Sequence, residues 1–364
     1  MEIPLDISAA RVSRSAARAG GRLLYMTLGA GWYAGELRRE LMARNRLWAR
    51  AHAHVESYGN PPVIVYAPQE AGTHGNFFAA SYAAIAAQPR WMRRFDKIHA
   101  QGRSLPKAES GRRWRELDSS MSSDALLMNL FCAPGVAESP LLRSVLGVDA
   151  HAVPEFGWKA RVPLANGRFD RTEVDMRWGN LLVEAKLTES DFQTRAASIV
   201  EAYRDFDAVF DRDRLPRIAL RTTRRRAAVE FAEEFTQEWE EAAPDDEAAR
   251  AFQQELVDRA REAEPFQPAY TGYQLIRNVL AAYVADSSFC LLHDERRPDL
   301  REAWFAVMAA VKSADLRTRC HVMTWQELAA LVPEPLHQFL DLKYGIVAPG
   351  NAPTPLFGGD EGGA

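Results

Sequence analysis

Thr172-Glu173-Val174-Asp175-Met176-Arg177-Trp178-Gly179-Asn180-Leu181-Leu182-Val183-Glu184-Ala185-Lys186 reads as two short strands joined by a tight turn. The turn is Trp178-Gly179-Asn180, where Gly and Asn tolerate the positive φ that hairpins need. Residues i and i+2 of a strand share a face, so Leu182, Glu184 and Lys186 project together, while Val183 and Ala185 point the other way. The first strand ends in Asp175. Two carboxylates and a lysine therefore converge at the end of an apolar hairpin.

That pattern points to a particular chemistry. A hard divalent cation, Mg²⁺ or by extension Mn²⁺, accepts carboxylates as its few protein ligands. A lysine beside them can hold an attacking water or stabilise a phosphoryl oxygen. The bland alternative is an exposed strand carrying a Glu–Lys surface pair. Three features weigh against it. Leu181-Leu182-Val183 makes the second strand mostly buried, and buried charges need a reason. The spacing back to Asp175 suits a hairpin. Only six of the 45 basic residues are lysines, so a lysine at position 186 suggests a need for an ammonium there.

At 364 residues the chain exceeds the usual size of one domain, which suggests one core with a helical extension. A hydrophobic content of 47% and a charged content of 26% describe an ordinary globular protein. The net charge of −4 gives no global attraction to nucleic acid, so any such binding relies on local patches. Cys132, Cys290 and Cys320 are odd in number, far apart and set among apolar residues, which reads as buried thiols in a reducing cytoplasm. No 18-residue apolar run or secretory segment is visible, so neither a membrane span nor export is expected.

Around the hairpin, residues 1–115 are expected to form a helical region packed on the core, with a short strand at Val63-Ile64-Val65-Tyr66. A core follows over 116–346. It opens with a helix from Ser122-Ser123-Asp124, where Ser and Asp supply cap and first-turn charge. Next come a strand at 156–162, the hairpin, a helix at about 190–210 and a strand at 217–220. The highly charged stretch 224–264 reads as a helical insert. After it come an amphipathic helix at 270–285, a buried strand at 288–293, a helix at 299–314 and a strand at 320–324. Thr324-Trp325-Gln326-Glu327 then looks like a capping box. Residues 347–364 are expected to be disordered. The order is α-β-β-β-α-β, which predicts an α/β fold with a mixed central sheet flanked by helices.

Asp175, Glu184 and Lys186 resemble the signature of the PD-(D/E)XK nucleases, with Val174 where proline is usual. His74-Gly75-Asn76-Phe77, Leu117-Asp118-Ser119-Ser120, Ser122-Ser123-Asp124-Ala125-Leu126, Glu184-Ala185-Lys186-Leu187-Thr188-Glu189 and Tyr273-Gln274-Leu275-Ile276-Arg277-Asn278 resemble a bacterial restriction-endonuclease family of that type. The similarity spans roughly residues 60 to 345. It implies a restriction-endonuclease-like core and a metal-dependent DNA nuclease. Only Asp175, Glu184 and Lys186 take a defined role from it.

Other residues are candidates for lining such a site. Glu189 and Asp191 read as the first turn of a helix after Lys186, or as outer carboxylates near a metal. Gln274 and Arg277 lie three apart on one helical face, where they could meet a phosphate. Asp118 and Asp124 begin the helix expected beside the hairpin. Arg212, Arg214, Arg217, Arg221, Arg224, Arg225 and Arg226 form the strongest basic cluster. It is either a DNA-backbone contact or a solvated face answered by the acidic stretch downstream. Arg90, Arg93 and Arg94 around Trp91 form a smaller patch. His74 reads as a loop histidine, and no His/Cys pair has zinc spacing. The leading expectation is a cytoplasmic Mg²⁺-dependent deoxyribonuclease acting on DNA, with a homodimer left open. The rival is a non-catalytic nucleic-acid or partner-binding protein that kept the nuclease fold.

Overall fold

In the computed structural model, residues 23–60, 62–69, 72–99, 105–106, 111, 113–171, 173–221 and 266–356 are described. The strands in chain order are β1 (His54–Glu56), β2 (Ile64–Tyr66), β3 (Pro154–Lys159), β4 (Val162–Pro163), β5 (Phe169–Asp170), β6 (Glu173–Trp178), β7 (Leu181–Ala185), β8 (Thr194–Ala196), β9 (Arg217–Arg221), β10 (Phe266–Thr271), β11 (Ser288–His293) and β12 (Cys320–Thr324).

The quoted stretch folds as a hairpin. β6 and β7 are antiparallel, with Met176 opposite Val183, Arg177 opposite Leu182 and Trp178 opposite Leu181. Gly179 takes the positive φ of the turn at 61°. Trp178 closes β6 rather than entering the turn; it is fully buried, and its indole N–H donates to the Ala152 carbonyl at 3.1 Å.

β7 is the middle strand of a five-stranded sheet ordered β12-β11-β7-β6-β3. β3, β6 and β7 run antiparallel, while β11 and β12 run parallel to β7, so the sheet is mixed as expected. A strand covered on both faces reads as a continuous apolar run, which is what Leu181-Leu182-Val183 is. On one face Leu182, Phe289 and Leu291 pack against Leu275, Ile276 and Val279 of helix Tyr273–Val284 and Trp304 of helix Pro298–Met308. On the other, Val183, Cys290 and Leu292 pack against Leu126 and Leu130 of helix Ser123–Phe131, Leu37 and Leu41 of helix Leu23–Ala49, and Leu340 of helix Glu334–Tyr344. The N-terminal helix is therefore a layer of the same core.

Several local expectations need correction. The helix expected at 190–210 is instead β8 followed by single helical turns at Ala197–Val200 and Phe206–Val209. The break has a cause: the Ala165 N–H donates to the Ala202 carbonyl and the Arg204 N–H to the Pro163 carbonyl, so this segment pairs with the β4 region. β8, β10 and β9 form a second, antiparallel sheet with β10 in the middle. The helix expected at 299–314 ends earlier, at Met308, and a separate helix, Ala314–Arg319 capped by Ser313, follows it. Of the tail expected to be disordered, 347–364, the part up to residue 356 is described, and there the Thr354 N–H and hydroxyl donate to Asp341 at 2.8 and 2.5 Å; residues 357–364 lie outside the described residues. The Thr324–Glu327 capping box forms with both of its bonds. The insert at 224–264 lies outside the described residues.

Candidate active site

Ladder pairing between β6 and β7 stops at Met176–Val183. One residue further out, the Asp175 carboxylate accepts the Ala185 N–H at 2.8 Å, so a side chain takes over a bond that a strand carbonyl would supply. The Asp175 carboxyl lies close enough to Glu184 and Lys186 for the charges of both to act on it. Glu184 and Lys186 are buried, and Lys186 Nζ lies 2.7 Å from Glu184 Oε1. Asp175, Glu184 and Lys186 are thus brought together at the C-terminal end of the central strand.

The charges act on one another. Asp175 keeps partial access to solvent, yet the protein packed around it pushes its carboxyl well above the usual range, and Glu184 and Asp124 push it further. Burial alone would neutralise Lys186. The carboxylates of Glu184, Glu189 and Asp175 outweigh it and hold the ammonium more firmly than in water. The Lys186 ammonium also sits 5.8 Å from the centre of the Phe192 ring.

Four residues that the sequence reading did not place at the site organise this centre. Asn278, fully buried, donates from Nδ2 to Glu184 Oε2 at 2.6 Å. Arg297, also fully buried, donates to the carbonyls of Leu187, Glu189 and Ser190 and pairs with Asp299 at 2.7 Å. Its planar fork therefore clamps the loop that follows Lys186. Arg94, expected only as part of a surface patch, is buried and bridges Asp124 at 2.6 Å and Glu173. Lys97 adds a half-exposed ammonium 3.2 Å from Glu116 and 3.7 Å from Glu173. The signal available for Asn278 was two polar residues, Arg277 and Asn278, inside the apolar run Leu275-Ile276…Val279-Leu280.

The remaining candidates divide. Arg277 is buried at the centre, donating to the Glu173 carbonyl at 3.0 Å and to Asn278 Oδ1 at 3.2 Å. Gln274 is half-buried, and its backbone N–H meets the Phe192 carbonyl. Asp124 is not the cap, which is Ser122; it sits in the first turn, paired with Arg94. Glu189 starts no helix: it lies in an irregular loop and accepts from the Ser123 hydroxyl at 2.6 Å and the Leu187 N–H at 2.7 Å. Asp191 accepts the Gln193 N–H at 2.6 Å. Asp118 turns away to His74, 3.1 Å distant, both side chains being fully buried, so His74 is a core histidine and not a loop residue. No cluster of three or more His, Cys, Asp or Glu suited to a metal occurs among the described residues.

Part of the arginine cluster falls within the described residues. Arg212 pairs with Glu201 and Asp207, both at 2.9 Å, and Arg217 lies 4.8 Å from the centre of the Tyr270 ring. Arg214 is exposed. Arg221 ends β9, while Arg224, Arg225 and Arg226 lie outside the described residues.

Comparison with known families gives one result. The profile of a family described as Restriction Endonuclease associating with ARP matches residues 43–345. No curated protein and no solved structure matches the chain.

Proposed function

The chain belongs to this restriction-endonuclease family, and on that premise we propose that it is a metal-dependent nuclease hydrolysing DNA phosphodiester bonds at Asp175, Glu184 and Lys186. The observation that carries the reading is the carboxylate pair beside a buried, carboxylate-bound ammonium at the end of β7.

The donor set fits a hard divalent cation. Only carboxylate oxygens are offered, and each oxygen keeps a further lone pair beside its hydrogen bond. The Asp175 carboxyl is held above its usual range by burial and two neighbouring carboxylates, a stress that a divalent cation would relieve. Asp175 and Glu184 would hold Mg²⁺ or Mn²⁺. When bound, such an ion supplies a water of lowered pKa and neutralises charge on the phosphate.

The residues of the chain do the rest. Lys186 presents N–H donors that orient the attacking water and stabilise the charge gathering on the phosphoryl oxygens. Arg297 keeps the loop after Lys186 from moving. Arg94 neutralises Asp124 and Glu173, carboxylates that would otherwise repel the phosphate. The family description also names ARP, so a partner of that kind belongs to this reading.

Plasmid DNA incubated with the full chain tests it. We expect cleavage with Mg²⁺ or Mn²⁺ and none with a chelator. Chelator-resistant cleavage, or none with either ion, would overturn the reading.

A further inference from the structure

Asn278 is a fully buried amide in an otherwise apolar stretch of helix Tyr273–Val284. A buried amide is costly unless its polar atoms are bonded, and here they are bonded in one direction. Nδ2 donates to Glu184 Oε2 at 2.6 Å, while Oδ1 accepts from Arg277 Nε at 3.3 Å and Nη2 at 3.2 Å. With Lys186 on Oε1 and Asn278 on Oε2, the plane of the Glu184 carboxylate is set at both oxygens. Arg277 makes one more hydrogen bond, from Nη2 to the Glu173 carbonyl at 3.0 Å, two residues ahead of Asp175. The same two side chains therefore reach the strand that carries Asp175 and the carboxylate of Glu184.

We infer that Arg277 and Asn278 are a positioning pair that sets the orientation of Glu184 and its spacing from Asp175, and through them the affinity of the site for a divalent cation. The inference rests on the nuclease reading above. Neither residue touches a reacting atom. Asn278 fixes the carboxylate, and Arg277 fixes Asn278 while tying it to β6. Outer partners of this kind typically govern metal affinity by about 10–100-fold. The sequence separation between Asn278 and Glu184, 94 residues, means that the tie forms only when the sheet and helix have docked.

The test uses the full chain and two variants. Asn278→Leu keeps the volume and removes the donor. Arg277→Lys keeps the charge and loses the fork that spans Asn278 and Glu173. Mn²⁺ affinity is read by electron paramagnetic resonance of the free ion, with folding checked by circular dichroism. Asn278→Leu should bind Mn²⁺ about 10–100-fold more weakly, and most of its plasmid cleavage rate should return at saturating Mg²⁺. Arg277→Lys should show the same split to a smaller extent. A wild type that binds Mn²⁺ and cleaves, beside two folded variants of unchanged affinity, overturns the inference and leaves the nuclease reading standing. A wild type that binds no Mn²⁺ overturns both. Should Asn278→Leu not fold, Arg277→Lys decides by the same measurement.

Discussion

Among the described residues two lysines are buried, and they are held in opposite ways. Lys186, at the end of β7, is set among Glu184, Glu189 and Asp175 and stays firmly protonated despite burial. Lys343, on helix Glu334–Tyr344, is fully buried against Asn45 Oδ1 and the rings of Tyr66 and Tyr344, with ring centres 4.6 and 5.0 Å away. There burial pushes the ammonium well below its ordinary value. The same side chain, buried in both places, has its pKa raised where carboxylates answer it and lowered where none does. A buried lysine alone is therefore no sign of a reactive centre; a buried lysine among carboxylates is a stronger one.

The largest effect expected from this contrast is at Lys186. Lys186→Ala should reduce plasmid cleavage by on the order of 10²-fold or more, the scale of losing one transition-state donor. The burial of Lys186 adds an effect on stability. Breaking a buried pair typically costs about 3–5 kcal/mol, so denaturant unfolding should register a clear loss. A stable variant with near-normal cleavage would remove the distinction between the two lysines.

Lys343→Met should do the opposite. The variant removes a buried basic group whose charged form burial disfavours, and Asn45 Oδ1 keeps the Tyr66 hydroxyl at 3.0 Å. Stability should be unchanged or higher by about 1–2 kcal/mol. The pH dependence carries the sign. The folded pKa of Lys343 lies below 10.5, so between the two values the unfolded chain binds the extra proton and stability rises with pH. That rise, measured by urea unfolding on the alkaline side of neutrality up to the free-lysine range, should be smaller in Lys343→Met. An identical slope in both proteins would place the Lys343 amine in a charged state.

The smallest effect extends the contrast to the surface. Arg212 is answered by Glu201 and Asp207, whereas Arg214 is exposed. If cations already answered by carboxylates contribute nothing to DNA, Arg212→Gln should leave the salt dependence of DNA affinity unchanged. Arg214→Gln should flatten the log–log slope by about 0.9 if it meets a phosphate. Equal slopes in both variants would move the DNA path elsewhere, with the residues beyond Arg221 the next to test.

The hairpin, β11, β12 and the Thr324 capping box were legible because each rests on a short-range pattern: alternation, an apolar run, or a cap three residues from its partner. β10 was not, since Pro268 weakens a strand reading and its place between β8 and β9 is set by partners far along the chain. Residues 199–210 misled for a related reason. Val200, Tyr203, Phe206 and Phe210 are buried at helical spacing, but the backbone breaks to bond Pro163 and Ala165. At the site, Asp175, Glu184 and Lys186 could be read from twelve residues of hairpin. Arg94, Asn278 and Arg297 could not, because their contacts cross 79, 94 and up to 110 residues of chain, and only the docked helices bring them in.

The bond between Asp175 and the Ala185 N–H has a practical consequence for anyone seeking an inactive form of this protein. Asp175 is a splice in the sheet as well as a carboxylate. Its removal as alanine strands a backbone donor in the middle strand, so a silent assay would not separate lost chemistry from a loosened scaffold. Asparagine keeps a carbonyl oxygen at that position and changes the charge alone, which makes Asp175→Asn the informative blank. The double duty also narrows what inheritance can tolerate at this position, since a drift toward a binding-only descendant would be expected to keep an acceptor there long after the lysine was free to change.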